Sequence, residues 1–133
     1  MRHYNKMKTF ISHDGIKIFV GENAKDNDVL TESAYPNEWW MHVSGHPGSH
    51  VVISHEGDLL PKETKTDAAA LAAHFSKARG QKMTKVDLCR VRETTKGKVA
   101  GQVYLDGNVM QLTMFMNKEK PRLERLFSRI SPQ

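Results

Sequence analysis

Turn-forming dipeptides punctuate this chain at short intervals, each beside a brief alternating run of apolar residues. That spacing favours short antiparallel strands over long helices. Met7 to Ile11 and Ile16 to Val20 flank Asp14-Gly15, a strong hairpin signal, and Gly21 ends the second run. "WWMHV" alternates and is rich in aromatic and β-branched residues. It predicts a strand with Trp40, His42 and Ser44 on one face and Trp39, Met41 and Val43 on the other. "HVVISH" follows a Pro47-Gly48-Ser49 turn as a further strand. Later come a strand over Val86 to Arg92, a turn at Lys96-Gly97, a strand through Val103, the Asp106-Gly107 turn and a strand over Val109 to Met116. In "VDLCRVR" neither Val86, Leu88, Arg90 and Arg92 nor Asp87, Cys89 and Val91 form a purely apolar face, so its orientation stays open.

Three segments read as helices. A short one is expected from Asp28 to Ala34, capped by Asn27 or Asp28 and stopped before Pro36. The clearest is "DAAALAAHFSKARG", capped by Asp67 or Thr66 and closed by Gly80, after a loop "EGDLLPKETKT". Its Ala68, Leu71, Ala72 and Phe75 recur at helical spacing, as a face packed on a sheet requires, and Lys77 and Arg79 fall in its last turn. A basic helix over Glu119 to Arg129 closes the chain, with Leu123, Leu126, Phe127 and Ile130 as its apolar stripe and Arg122, Arg125 and Arg129 outside it. The expected fold is a single α+β domain spanning 1–133. It is a mostly antiparallel sheet of hairpins, carrying an alanine-rich helix and a basic C-terminal helix.

A length of 133 residues suffices to bury a core without covalent staples. The single cysteine, Cys89, excludes an internal disulfide framework and a multi-cysteine zinc site, and its apolar neighbours predict an inert buried thiol. No apolar run approaches the roughly 20 residues of a membrane span, and "MRHYNKMKTF" lacks a signal peptide's apolar core. A cytoplasmic protein with no membrane partner is the expectation.

Charge is unevenly placed. Glu22 to Glu63 hold eight acids against two lysines, whereas Lys77 to Lys98 hold eight bases against Asp87 and Glu93. Lys77, Arg79, Lys82, Lys85, Arg90, Arg92, Lys96 and Lys98 together are what a phosphate-binding surface needs, and equally what a solvated basic face contains.

"EWWMHVSGHPGSHVVISH", residues 38–55, concentrates His42, His46, His50 and His55 beside two tryptophans. The spacing of His42, His46 and His50 would align ligands on a helix, but Pro47 and Gly48 break one, and no thiolate stands nearby, so no metal is expected. Catalysis by Ser49 and His50 is disfavoured because adjacent strand residues point to opposite faces, and no catalytic residue or cofactor is assigned. A general acid–base role for His42 or His50 on a bound nucleotide remains the enzymatic alternative. The third reading is a binding loop, in which His42, His46, Ser49, His50 and turn amides contact phosphate, sugar or base while the tryptophans and valines are core.

The ordered series Gly21-x-Asn23-x-x-x-Asn27-Asp28, Glu38-x-Trp40-x-His42-Val43, Pro47-Gly48-Ser49-His50-Val51, the alanine-rich helix ending in Ala78-Arg79, and Val86-Asp87 leading to Val91-Arg92 resembles the NFACT-R family, the RNA-binding domain of the NFACT/RqcH/NEMF ribosome quality-control proteins. The resemblance runs from about Phe10 to Val103. Glu38 stands where the family has Asp, and Met41 where it often has an aromatic residue. The resemblance implies an RNA-binding module for tRNA or ribosomal RNA, with the large ribosomal subunit as a possible partner. It does not imply tail elongation, since 133 residues leave no room for the other domains of the full proteins.

The combined expectation is non-catalytic recognition of structured RNA by the eight basic residues and the loop residues His42, His46, Ser49 and His50. Gly21, Asn23, Asn27, Asp28, Trp40, Pro47 and Gly48 are expected to act as frame. The alternatives are a tRNA-modification enzyme or accessory factor of the thiolation-linked kind, a DNA-binding protein, and a protein-binding adaptor using the acidic block.

Overall fold

A computed structural model describes residues 7–129; the chain ends, including Ile130 of the expected apolar stripe, lie outside the described residues. Strands β1 (Lys8–Ile11) and β2 (Lys17–Val20) form the expected hairpin about Asp14-Gly15, where Gly15 takes a φ of +79°. Helix α1 (Ala24–Ser33), β3 (Trp39–Val43), β4 (Val51–Ile53), helix α2 (Lys62–His74) and β5 (Met83–Arg90) follow. Then come β6 (Thr94–Lys96), β7 (Val103–Leu105), β8 (Met110–Phe115) and helix α3 (Lys120–Ser128). Six strands make one antiparallel sheet in the order β1-β2-β4-β3-β5-β8, and β6 and β7 pair as a separate ribbon. The class is α+β, as the strand and turn pattern requires.

Strand alternation divides the core. Trp39, Met41, Val51, Ile53, Val86 and Leu88 face α2, while Trp40, Val52, Phe19 and Cys89 face α1 and the ribbon. Both sides of "VDLCRVR" are therefore buried, which is why its sequence offered no single apolar face. The alanines Ala68, Ala69, Ala70, Ala72 and Ala73 are all buried between sheet and α3, their small size permitting the close approach.

Three helix boundaries differ from expectation. Helix α1 starts earlier, because Asn23 rather than Asn27 or Asp28 is the cap: its Oδ1 accepts the Asp26 N–H at 2.9 Å. Helix α2 begins at Lys62, within the segment expected to be a loop, so Asp67 lies in its interior and not at its start. The Asp67 carboxylate instead accepts from His13 N–H (2.8 Å), Arg122 Nη1 (2.7 Å) and Arg125 Nη2 (2.5 Å), so these two arginines point inward and not away from the apolar stripe. Burial works against the Arg122 charge, but hydrogen bonds to Asp67, Glu119 and Glu63 outweigh it and its pKa is raised.

Helix α2 also ends at His74 and does not run on to Gly80. The chain beyond it pairs with the Pro-Gly-Ser turn. Ser49 N–H donates to Phe75 O (2.9 Å), Lys77 N–H donates to Pro47 O (2.8 Å), and Gly48 and Ser76 form a β-bridge. Lys77 and Arg79 therefore complement no helix dipole. They are carried instead to the histidine loop.

Candidate nucleic-acid interface

The motif residues that are far apart in sequence form one hydrogen-bonded frame. Gly21 N–H donates to His50 O (3.1 Å), extending the β2–β4 ladder by one pair. Asn27 Oδ1 accepts the His50 N–H at 3.0 Å and its Nδ2 donates to Gly48 O at 3.3 Å. A Cβ on Gly21 would stand 2.1 Å from Asn27 Oδ1, and one on Gly48 2.8 Å from Ser76 Cβ, so both positions exclude a side chain. Asp28 Oδ1 accepts the Gly101 N–H at 3.0 Å and ties the β6–β7 loop to α1.

His50 lies inside this frame, 1 % exposed. Its Nε2 is 3.0 Å from Gly101 O and its Nδ1 2.7 Å from Thr31 Oγ1. A carbonyl can only accept, so Nε2 carries the proton and Nδ1 accepts from the Thr31 hydroxyl. Thr31 in turn accepts from Trp40 Nε1 at 3.1 Å. The relay Trp40–Thr31–His50–Gly101 leaves no ring nitrogen spare. Burial, then the neighbouring His42, pushes the His50 pKa down to about 4, so the ring is neutral. Contrary to expectation, His50 is not held out to solvent, because its strand position faces α1 and the ribbon loop.

Beside the frame opens a cleft of about 1060 Å³. Trp40, His42 and Asp87 line it, together with residues of the 45–50 loop, the segment 74–79 and the loop 100–103. His42 stacks on Trp40 (centroids 5.9 Å, planes 12° apart) and meets His50 edge-on at 5.7 Å. His42 is half-buried, and that burial lowers its pKa. His46 and Ser49 line the same cleft with Lys77 and Arg79, both exposed. The arrangement offers neutral imidazole, hydroxyl and two cations along one cleft, which suits a phosphate beside a base or ribose. Of the two histidines in an acid–base reading, only His42 keeps part of its ring exposed.

The remaining basic residues do not form one patch. Lys85 is exposed on β5, its carbonyl accepting from Ser44 N–H at 2.8 Å, and Lys82 is exposed just before β5. Arg90 is buried at the far end of β5. Its Nη1 donates to Asn37 O (2.6 Å) and Glu56 O (2.9 Å), its Nη2 to Asp58 Oδ1 (2.7 Å), and its guanidinium lies 3.8 Å from the Trp39 ring centroid. Arg92 donates to Asn37 Oδ1. Lys96 pairs with Glu32 at 3.5 Å and Asp28 at 3.9 Å, while Lys98 is exposed beside it on the ribbon.

Glu38 is 1 % exposed and its Oε1 accepts the Tyr35 N–H at 2.9 Å, so the longer carboxylate still closes the turn before β3. Thr31 and Gly101 escaped the sequence reading, since their importance comes from partners 19 and 51 residues away. Cys89 is buried, and that burial, aided by Glu93 and Asp87, raises its thiol to about 12, an unreactive state. Among the described residues, no group of three or more His, Cys, Asp or Glu side chains is placed to hold a metal ion, and no helix is long and apolar enough to cross a membrane.

Known proteins resemble this chain over most of its length. The family model described as the NFACT protein RNA binding domain matches residues 6–112. The Rqc2 homolog RqcH of Streptococcus pneumoniae is 39 % identical over 114 residues, covering 81 % of this chain and 20 % of that protein. Its Bacillus subtilis counterpart is 35 % identical over 128 residues, covering 93 % and 21 %. The chain thus spans about a fifth of the length of these relatives. Among solved structures, the C-terminal part of the fibronectin/fibrinogen-binding protein from Streptococcus suis superposes with a TM-score of 0.80 at 34 % identity, over 94 % of this chain and 49 % of that one.

Proposed function

Since this chain belongs to the NFACT RNA-binding domain family, we propose that it binds structured RNA without catalysis, with transfer RNA or ribosomal RNA as its ligand. The observation that carries the reading is the convergence of Lys77 and Arg79 with His42, His46 and Ser49 on one cleft. Lys77 and Arg79 neutralise phosphates, and Lys82, Lys85 and Lys98 extend the field along neighbouring edges. His42, stacked on Trp40, presents an imidazole to a base or ribose, and His46 and Ser49 supply short polar contacts.

His50 supports the loop from behind and touches no ligand. Arg90 is left out because its guanidinium is already hydrogen-bonded within the protein, and Arg92 and Lys96 are secondary because each has a protein partner. The whole chain acts as one such module in the cytoplasm, in a ribosome quality-control or tRNA-related setting, with the large ribosomal subunit as the larger partner. Crosslinking in cells followed by sequencing of the bound nucleic acid tests this. Recovery of tRNA or ribosomal RNA supports it, and recovery of DNA fragments alone contradicts it.

A second reading is protein binding, favoured by the likeness to the fibronectin/fibrinogen-binding protein of Streptococcus suis. The exposed acids between Glu22 and Glu63, without the buried Glu38, would then form the contact surface. A partner retained after nuclease treatment supports that reading, and one lost with the nucleic acid supports RNA binding.

A further inference from the structure

The sheet face that carries His42 does not end at the cleft. Across β5 and β8 the register pairs Asp87 with Gln111, Lys85 with Thr113 and Met83 with Phe115. The alternate residues Thr84 and Met114 are buried, so this row points to the opposite side, the side of Trp40 and Cys89. Helix α1 and the ribbon cover that side only as far as Cys89. Beyond it the sheet is open, with Phe115 51 % and Met83 46 % exposed as neighbours on an edge strand and the strand beside it.

Phe115 and Met83 together leave an apolar patch uncovered at the sheet edge, and its surroundings specify which chemistry fits it. Lys118 Nζ lies 5.4 Å from the Phe115 ring centroid, and Lys82 and Lys85 flank Met83 in sequence. The nearest acid in the row, Asp87, accepts from Gln111 Nε2 at 3.1 Å, and Gln111 also reaches Ser44 Oγ at 3.2 Å. A cationic rim around an aromatic platform fits a polyanion with π-faces better than an apolar protein surface. Continuity favours the same occupant, because Asp87 pairs with His42 and also borders the cleft. Asp87 to Met83 is four residues of strand, about 13 Å at ~3.3 Å each.

We propose that an unpaired stretch of the bound RNA leaves the cleft across this open face, stacking a base on Phe115 beside Met83 while Lys85 and Lys118 take its phosphates. This rests on the RNA-binding reading and adds a single-stranded segment to its ligand.

The test uses a fluorescein-labelled RNA hairpin with an unpaired tail, and the same hairpin with the tail annealed to a complementary strand. Anisotropy titrations compare the full chain with Phe115→Leu and Phe115→Trp, neither of which empties the core because the ring is half outside it. Phe115→Leu is expected to weaken binding of the tailed hairpin about tenfold. It should leave the annealed probe unchanged, with Phe115→Trp retaining full affinity. Equal affinity of Phe115→Leu and wild type for the tailed probe, or an equal loss on both probes, overturns the stacking inference while RNA binding stands. If the wild-type chain binds neither probe, the RNA reading fails and the inference fails with it.

Discussion

Asn27 accepts the backbone N–H of His50 through Oδ1 at 3.0 Å and donates through Nδ2 to Gly48 O, so one amide of α1 fixes both strand and turn of the histidine loop. Asn27 is buried, so both of its bonds lie in the interior. Replacing Asn27 with Ala leaves the His50 N–H and the Gly48 carbonyl without that partner, at a cost of about 1–3 kcal/mol. Urea denaturation is expected to show a lower midpoint with an unchanged slope, and RNA affinity is expected to fall because the loop loosens.

His50 makes stability pH-dependent. Its folded pKa of about 4 lies below the unfolded value of 6.5, so between these the unfolded chain binds more protons. Stability is full above pH 6.5, falls as pH drops through that window, and levels off for this group below about 4. The shift corresponds to a loss of roughly 3 kcal/mol. Chemical denaturation across this range is expected to show the decline, and Thr31→Val, which removes the hydroxyl given to Nδ1, is expected to lower the midpoint already at neutral pH.

The two histidines should separate in mutants. His42→Ala is expected to weaken RNA binding by several-fold with little change in thermal midpoint, since its half-buried ring lines the cleft. His50→Ala is expected to lower the midpoint through its lost bonds to Thr31 and Gly101. Thermal melts and binding isotherms on the same preparations check the pairing.

Asp67 is the fully buried anion of a network with Arg122 and Arg125, whose side chains are 19 % and 28 % exposed. Asp67→Asn leaves both arginines without their shared counter-charge. The expected destabilisation is about 2–4 kcal/mol, toward the lower side for a buried pair because water reaches the arginines. Denaturation of the variant, with RNA binding measured separately, is expected to show lost stability without lost cleft affinity at low temperature.

Features set by neighbouring residues were legible in the sequence. The alternation of Trp39 to Val43 gave the correct faces, and Asp14-Gly15 gave the hairpin, because a two-residue period and a turn need no distant partner. The errors share one physical cause. Asp67 has the composition of a helix cap, but its ligands lie 54 to 58 residues away. Nothing local marks His74 as the end of α2, because the helix is stopped by pairing with residues 47–49. His42 and His50 look alike as strand histidines. Only the packing of α1 and the Gly101 loop onto one of them makes it buried frame and leaves the other at the cleft. The eight-base block likewise looked continuous until β5 carried Arg90 into contact with Trp39 and Asp58, away from Lys77 and Arg79.

If the cleft binds RNA through phosphate contacts, Lys77 and Arg79 must be among them. A titration of tRNA binding against salt for the wild-type chain and for a Lys77→Gln/Arg79→Gln double variant tests it most directly. Log affinity is expected to fall linearly with log salt, with the variant's slope shallower by about 1.4 to 1.8 for the two lost contacts. A flat wild-type slope, or a variant indistinguishable from wild type in both affinity and slope, would contradict it.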